Sequence, residues 1–350
     1  MASIDTIAVP GTAGPAGRPG AAGPDGAPSN GDAGTAGRSA LPGGDGTRGG
    51  RRRGKRGQPA PYLFIAPGLI LFTLFLLIPI GYSIYLSFFT NRVSSGVIGA
   101  ERQSVFVGFN NFVEILSGNV FWEGLLRAGY YGLLVIPLTL GLALVFALAL
   151  DVGVSKLKTV SKTVIFIPYA VPGVIATLMW GYMYQERTTP FGPVFAFFGM
   201  PTPDFLGDAN VFYSIVNIAV WGGIGFNMII LHTALSSIPR EIYEAARLDG
   251  AGEIRMALQI KLPMVVPSMV FTLLFGVIGA VQVYAEPQTM KTMSTAITSG
   301  WVPLMEIQRL AFEQGETNMA AAGAIIIAFI AFGLSLVVFK LAGKKVFGES

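Results

Sequence analysis

Side chains that could carry out chemistry are few in this chain, and they do not form a catalytic set. The 350 residues include no cysteine and one histidine, His232, which excludes thiolate sites and clusters of histidine ligands for a metal. A nucleotide-binding loop of the form G-x-x-x-x-G-K-[ST] is also missing, because Gly343-Lys344-Lys345 lacks the leading glycine and the hydroxyl. We therefore expect no enzyme activity, metal or cofactor, and the remaining chemistry is that of binding and of contact with partners.

One segment, residues 236–263, concentrates charged side chains between two apolar stretches; it reads SSIPREIYEAARLDGAGEIRMALQIKLP. Pro239 favours the first turn of a helix. Gly250 and Gly252 interrupt that helix, and a second helical stretch then leads to Pro263. The pattern predicts a short helix, a sharp turn and a second helix that joins the following apolar stretch.

The first helix of this segment has one narrow face. Ile242, Ala245 and Ala246 lie on it at i, i+3, i+4 spacing. Because two of these side chains are methyl groups, another protein surface can approach the backbone closely, and Glu244 is among the charges around the face. An amphipathic helix that lies on the membrane surface is the alternative interpretation.

Several polar or amphipathic side chains lie within or beside long apolar stretches: Asn217, Trp221, Asn227, Gln282 and Glu286. A polar side chain at membrane depth is unfavourable in lipid, so it normally faces protein or a water-filled path. Amide groups and the indole ring also suit sugars, which offer hydroxyl groups and an apolar ring face. We therefore treat these residues as candidates for a substrate pathway; hydrogen bonding between neighbouring helices is the alternative interpretation.

The elements that position these residues are apolar helices. Hydrophobic residues make up 52% of the chain and charged residues 13%, which is too little charge for a surface that faces only water. A helix needs about 20 apolar residues to cross a membrane. The stretches that meet this length lie at about residues 62–89, 129–150, 163–184, 211–235, 264–284 and 319–341. The sequence thus predicts an all-α, polytopic membrane protein with six transmembrane helices.

Basic residues are concentrated on one side of these predicted spans. The cluster Arg51–Arg56 precedes the first span, and Arg240, Arg247 and Lys261 lie in the segment between the fourth and fifth. The positive-inside rule therefore predicts that both termini and residues 236–263 are cytoplasmic.

The N-terminal residues 1–60 differ in composition from the rest. Glycine recurs at every third position over most of this stretch, in a collagen-like G-X-Y pattern that is interrupted at Ser29-Asn30. A short triple helix is one interpretation. We favour a disordered cytoplasmic tail, because Gly, Ala and Pro bury too little apolar surface to order it. The membrane domain is then 61–345, followed by a cytoplasmic C-terminal end at 346–350.

The segment 236–263 resembles the EAA motif of bacterial ABC importer permeases, in the following residues: Glu244, Ala245, Ala246, Gly250, Leu262 and Pro263. The stretches PYLFIAPGLILFTLFLLIPIGYSIYLSFF, FVGFNNFVEIL and FIPYAVPGVIATLMWGYMY resemble the maltose-type and glycerol-phosphate-type sugar permeases. The resemblance covers 61–345. The segment after the fifth predicted span departs from it, because the family's frequent Gly-Gly-Pro loop is missing.

The resemblance implies a type I ABC importer permease fold in a bacterial cell membrane, with this chain forming half of the translocation pathway. It implies a second related permease, two copies of an ATPase that hydrolyses ATP, and an extracytoplasmic solute-binding protein; no nucleic-acid partner is expected. The six motif residues would couple the permease to the ATPase. A sugar or oligosaccharide is the expected cargo.

Other functions are compatible with parts of the pattern. A polyol or a glycerol-phosphate-like compound is the alternative cargo within the family. A secondary transporter driven by an ion gradient is the alternative class, but such carriers often have ionisable residues in mid-span, and these spans have almost none at their centres. A membrane enzyme or an assembly scaffold is a further alternative, and no catalytic set supports the enzyme.

Overall fold

The computed structural model describes residues 60–93, 102–152 and 155–346. The predicted tail up to residue 59, its basic cluster Arg51–Arg56 and the C-terminal residues 347–350 lie outside the described residues. Helices dominate the described part: α1 Ala60–Phe72, α2 Ile78–Ser87, α3 Asn110–Ser117, α4 Asn119–Val152, α5 Ser155–Ala170, α6 Gly173–Tyr184, α7 Gly192–Phe197, α8 Val211–Ser236, α9 Arg240–Leu248, α10 Glu253–Met256, α11 Leu262–Val281, α12 Ala285–Met290, α13 Pro303–Gln308 and α14 Thr317–Val346.

Three π-helical turns join consecutive helices in the described chain: Thr73–Leu77, Ala257–Lys261 and Arg309–Glu313. The first connects α1 to α2, so the first predicted span is one continuous helix. The second connects α10 to α11, so the fifth span begins in the segment 236–263 rather than after it. A π-helical turn shifts the side chains that follow it around the helix axis.

Among the described residues, five continuous helical segments are long and apolar enough to cross a membrane: Leu63–Ser87, Asn119–Val152, Val211–Ser236, Glu253–Met290 and Thr317–Leu341. They contain the predicted first, second, fourth, fifth and sixth spans. The second is much longer than predicted, since α4 has 34 residues, or about 50 Å at the helical rise of about 1.5 Å per residue. The prediction of an α-helical, polytopic membrane fold is confirmed.

The third predicted span, residues 163–184, is bent rather than straight. Leu157–Ala170 and Gly173–Tyr184 meet at an angle of 93°. Pro172 lies at the break, with an extended backbone at ψ 133°. Proline disfavours a helical conformation at the residue before it, and its ring nitrogen has no hydrogen to donate, so the helix ends there. The third span is therefore a bent pair, α5 and α6.

A small antiparallel ribbon follows the first span, so the all-α prediction was incomplete. It pairs β1, Phe89–Val93, with β2, Arg102–Phe106. The side chain of Asn111 in α3 holds the ribbon against the end of α2, because its Nδ2 donates to the carbonyls of Ser87 and Phe89 at 2.8 Å each.

The centre of the bundle is the contact between α4 and α8. Ala143 and Ala147 of α4 are buried against Met228 and Leu231 of α8. On its other side, α8 comes so close to α5 that a Cβ built on Gly225 would lie 2.5 Å from the carbonyl oxygen of Ile165. Gly225 is therefore a position at which only glycine fits without movement of the backbone.

The segment after the fifth span is folded into the bundle rather than looped out of it. Trp301, Val302 and Met305 are buried in the same core cluster as residues of α4 and α8. Arg127 of α4 fixes this segment, since its Nη1 donates to the carbonyl of Trp301 at 2.6 Å and its guanidinium lies 5.1 Å from the centroid of that ring. The first span, by contrast, leaves large side chains such as Phe64 exposed.

Candidate functional site

The helix and turn predicted within residues 236–263 are present. Helix α9 follows Pro239 and ends in a Schellman motif, in which two backbone N–H groups return to the last turn. Gly250 donates to the carbonyl of Arg247 at 3.0 Å, and Ala251 donates to that of Ala246 at 2.9 Å. Gly250 has φ of +77°, a left-handed conformation that glycine adopts without strain. The turn therefore depends on glycine at position 250.

The two alanines of α9 point in different directions. Ala246 is 8% exposed and faces its own chain, whereas Ala245 is exposed. Ile242 and Tyr243 are half-buried and pack on the cluster formed by α4, α8 and α11. The expectation that both alanines offer a narrow face to another protein was wrong for Ala246, because consecutive residues differ by about 100° around a helix.

The outward side of α9 and α10 carries two large apolar side chains among charged ones such as Arg247 and Glu253. Leu248 is 90% exposed and Ile254 is 78% exposed. Glu244 and Ala245 are exposed beside them. We call these four residues the docking surface. Leu248 precedes the candidate span Glu253–Met290, and Ile254 is the second residue of that span. Large apolar side chains exposed beside charged ones mark a surface that contacts another protein or a membrane.

Leu262 and Pro263 are not part of the docking surface. They are the first residues of α11, where proline is tolerated because the N–H of the first turn has no partner within the helix. Leu262 is half-buried and Pro263 is exposed. Their place is at the junction between the π-helical turn and the fifth span.

An ion pair lies behind α9. Lys261 Nζ is 2.6 Å from Asp151 Oδ2, and the two side chains are 4% and 15% exposed. Lys158 Nζ donates to the backbone carbonyl of Asp151 at 2.9 Å, and Lys261 Nζ lies 5.1 Å from the centroid of the Tyr243 ring. We call these four residues the Asp151 cluster. Burial and the nearby Asp151 carboxylate raise the pKa of the Tyr243 hydroxyl above its usual value.

A second candidate region is a cleft of about 710 Å³. It lies between α4, the bend joining α5 to α6, α8, and the end of α11. Asn227, Gln282 and Glu286 line it, together with aromatic side chains that include Tyr131 and Tyr169. Asn227 Nδ2 donates to the carbonyl of Gly223 at 2.9 Å.

The other two predicted pathway residues are not in this cleft. Asn217 Nδ2 donates to the hydroxyl of Tyr184 at 2.8 Å. Trp221 packs edge-on against Trp180, with 5.8 Å between ring centroids. Both contacts join α8 to α6. Asn217 and Trp221 therefore link α8 to α6, and their part in a substrate pathway stays a prediction.

The charge of the cleft is one-sided. Glu286 is a carboxylate on its wall, and no lysine or arginine occurs among the described residues that line it. Aromatic rings provide apolar faces, as in the stacked pair Tyr169 and Phe226, whose centroids are 4.9 Å apart. Such a surface suits a ligand with hydroxyl groups and an apolar ring face, and it offers no counter-charge to an anion.

The Asp151 cluster was missed by the sequence analysis. Lys261 was used there only as one of the cations that set orientation, and Asp151 had no role. A usable signal was present, since Asp151 is an acid at the end of a long apolar stretch, where a charged residue needs a partner. The identity of that partner, more than 100 residues away in sequence, depends on tertiary structure.

Sequence comparison places the chain among transport proteins. Residues 140–343 match the family described as "Binding-protein-dependent transport system inner membrane component". The diacetylchitobiose uptake system permease protein NgcF of Streptomyces coelicolor is 28% identical over 308 residues, covering 83% of this chain and 86% of that protein. The sn-glycerol-3-phosphate transport system permease protein UgpA of Escherichia coli is 28% identical over 296 residues, covering 83% and 96%.

Structure comparison gives the same fold. A bacterial ABC transporter involved in the import of the acidic polysaccharide alginate matches with a TM-score of 0.68 at 21% identity, over 81% of this chain and 95% of that chain. A bacterial alginate ABC transporter in complex with an alginate pentasaccharide-bound periplasmic protein matches with a TM-score of 0.70 at 20% identity, over 82% and 95%. At these identities the similarity establishes the fold.

Proposed function

The chain belongs to the family of binding-protein-dependent transport system inner membrane components, and from this premise we propose that it is the translocation subunit of an ATP-driven importer for a sugar or oligosaccharide. In this proposal a partner ATPase binds the docking surface on the cytoplasmic side. A second related permease completes the pathway, and an extracytoplasmic solute-binding protein delivers the cargo. Both termini are cytoplasmic, as the distribution of basic residues indicates.

The observation that carries the coupling proposal is the exposure of apolar residues on α9 and α10. Leu248 lies outside the candidate spans and Ile254 lies at the start of one, and both leave water only if another surface covers them. Glu244 beside them supplies a charge that would pair with a basic group of the partner. The Schellman turn at Gly250 fixes the direction of the chain between the two helices.

The cargo proposal rests on the cleft. Asn227, Gln282 and Glu286 are hydrogen-bonding groups set among aromatic walls, which is the combination that a sugar requires. The relatives include permeases named for diacetylchitobiose and for sn-glycerol-3-phosphate. A neutral sugar is favoured over the phosphate, because no cation among the described lining residues offers a partner to a phosphate group.

Gly250→Asp tests the coupling proposal. The substitution places a Cβ at a φ of +77° and should distort the turn while the protein still inserts in the membrane. We expect loss of uptake and loss of the ATPase that co-purifies with the tagged chain. Gly315→Asp is the matched control, because Gly315 has a similar φ of +73° and equally open surroundings, but lies before α14. Normal uptake with Gly250→Asp would refute the assignment.

Binding of candidate solutes to the cognate solute-binding protein tests the cargo proposal. Calorimetric titration with diacetylchitobiose, sn-glycerol 3-phosphate and an alginate oligosaccharide separates a neutral sugar from two anions. We expect binding of the neutral sugar or of a related neutral oligosaccharide. Binding of an anion alone would contradict the proposal. Uptake that is insensitive to vanadate and abolished by an ionophore would instead support the secondary transporter.

A further inference from the structure

If a partner displaces helix α9, the membrane spans move with it only if α9 is held firmly against them. Helix α9 is connected along the chain to α8 through Pro239 and to α11 through Gly250, Gly252 and the π-helical turn Ala257–Lys261. Glycine and a π-helical turn are positions at which a chain bends easily. Covalent continuity alone therefore does not make α9 and the spans one rigid body.

Direct packing of α9 on the bundle is limited. A crevice of about 490 Å³ lies between α9 and the ends of α4 and α8. Its walls include Asp151, Lys158, Tyr243 and Lys261. Only one side chain of α9, that of Ala246, is fully buried. Only a few side chains therefore connect α9 to the helices on the other side of the crevice.

The Asp151 cluster bridges this crevice. Asp151 is near the end of α4, Lys261 ends the π-helical turn before α11, Lys158 belongs to α5, and Tyr243 belongs to α9. The ion pair joins α4 to α11, and the 5.1 Å approach of the Lys261 ammonium to the Tyr243 ring joins both to α9. Lys158 adds α5 through the carbonyl of Asp151.

The chemistry of the cluster suits a joint better than it suits general stabilisation. The desolvation of two buried charges offsets much of their attraction, so a buried ion pair adds little net stability over an apolar pair of the same size. Loss of one partner, however, leaves the other charge buried and unpaired, so alternative arrangements are strongly disfavoured. A buried pair therefore holds one geometry.

We propose that the Asp151 cluster is the joint that fixes the coupling helix α9 to the spans α4 and α11, so that displacement of α9 moves both spans together. The inference rests on the proposed role of α9 in coupling. Lys261 and Tyr243 are positioning residues in this account, since they act through the helices they join and not through contact with cargo or nucleotide.

Distances between spin labels test the joint on the full chain in lipid nanodiscs. The chain has no cysteine, so labels can be placed on introduced cysteines alone. The pair Asp249→Cys and Val145→Cys spans the joint from the end of α9 to the lipid-exposed side of α4. The pair Val145→Cys and Phe271→Cys reports the packing of α4 against α11 itself. All three positions are exposed.

Lys261→Met should broaden the first distance distribution and leave the second narrow, because α4 and α11 also pack through the apolar cluster that contains Ala143, Ala147 and Val265. We expect the ratio of the narrow to the broad component to fall about 100-fold, the effect of leaving one buried charge unpaired. Lys340→Met is the matched control, because Lys340 is exposed on α14, and it should change neither distribution. Exchange of the charges, Asp151→Lys with Lys261→Asp, should restore the narrow distribution.

An unchanged first distribution in Lys261→Met would overturn the proposal. Equal broadening of both distributions would also overturn it, because the pair would then hold the whole fold rather than the joint. If Lys261→Met does not accumulate in the membrane, Tyr243→Leu takes its place, because it removes the contact of Lys261 with α9 and leaves the ion pair intact. Broadening of the first distribution alone is then expected, and an unchanged first distribution would overturn the proposal. The distances are measured within one chain, so they stand apart from whether an ATPase co-purifies, which tests the proposed function itself.

Discussion

The fifth span joins two regions of opposite character. At the Lys261 end, charges are buried and paired within hydrogen-bond distance, and apolar side chains face outward. At the other end, beside Gln282 and Glu286, aromatic rings and amides line an open cleft in which few polar groups are paired with one another. The first region is built to hold a fixed geometry, whereas the second leaves its polar groups available to a ligand. In the proposed function, this one helix connects the contact with the ATPase to the cleft that binds the cargo.

If this difference is functional, changes at the docking surface should abolish assembly, and changes in the cleft should alter transport without affecting assembly. The largest effect is expected for Leu248→Asp. Burial of a leucine side chain at an interface contributes about 2–3 kcal/mol, so its loss should weaken association with the ATPase about 100-fold. This affinity is measured as the amount of ATPase retained on the tagged permease while the ATPase concentration is varied. Leu248→Met should retain the ATPase. Full retention by Leu248→Asp would contradict the proposal that the ATPase binds the docking surface.

Glu286→Gln should affect transport alone. The substitution keeps the shape of the side chain and removes a charge-assisted hydrogen bond worth about 1.5–3 kcal/mol. We expect about a tenfold loss in kcat/KM for uptake of a neutral sugar, with normal retention of the ATPase. Loss of the ATPase in this variant would show that the two regions are not separate.

Asn227→Ala and Asn217→Ala form a matched pair within one helix. Asn227 lines the cleft, so its loss should raise the KM for uptake about fivefold, the effect of one hydrogen bond of about 1 kcal/mol. Asn217 donates to Tyr184, so its loss should lower thermal stability by about 1 kcal/mol and leave KM unchanged. The reverse result would move the substrate pathway to the α6 side of α8.

Arg247→Met should have the smallest effect. Arg247 pairs with Glu253 at 3.3 Å, but both side chains are largely exposed. An exposed pair contributes about 0–1 kcal/mol, so the unfolding temperature should barely change. Lys261→Met removes a buried partner and should be destabilising by about 3–5 kcal/mol. Thermal unfolding of the two variants side by side measures the difference, and equal effects would contradict the distinction between buried and exposed pairs.

The secondary structure of residues 236–263 could be predicted from the sequence because its signals are local. Pro239, Gly250 and the alternation of apolar and charged residues define a helix, a turn and a second helix within 28 consecutive residues, 236–263. The spans were also readable, since their length is set by the thickness of the bilayer. The 93° bend was missed because proline is tolerated in many spans, and only the packing of neighbours decides where one breaks.

Only some of the residues that line the cleft could be predicted from the sequence, since the cleft is formed by tertiary contacts. Asn217 and Asn227 look alike in sequence, yet they face different neighbours because ten residues of helix rotate one from the other. The pairing of Asp151 with Lys261 depends on how α4 packs beside α11, which no local pattern encodes. Sequence therefore predicted the secondary structure of residues 236–263 better than it predicted which residues line the cleft.

Site-specific crosslinking from Ala245 tests the central claim most directly. Ala245→Cys, in a chain without other cysteines, carries a photoreactive maleimide on the exposed side of α9, and Ala246→Cys is the buried neighbour that serves as its control. The account predicts that position 245 crosslinks in native membranes to a nucleotide-binding subunit and that position 246 does not. Crosslinking of position 245 to lipid alone would contradict the account.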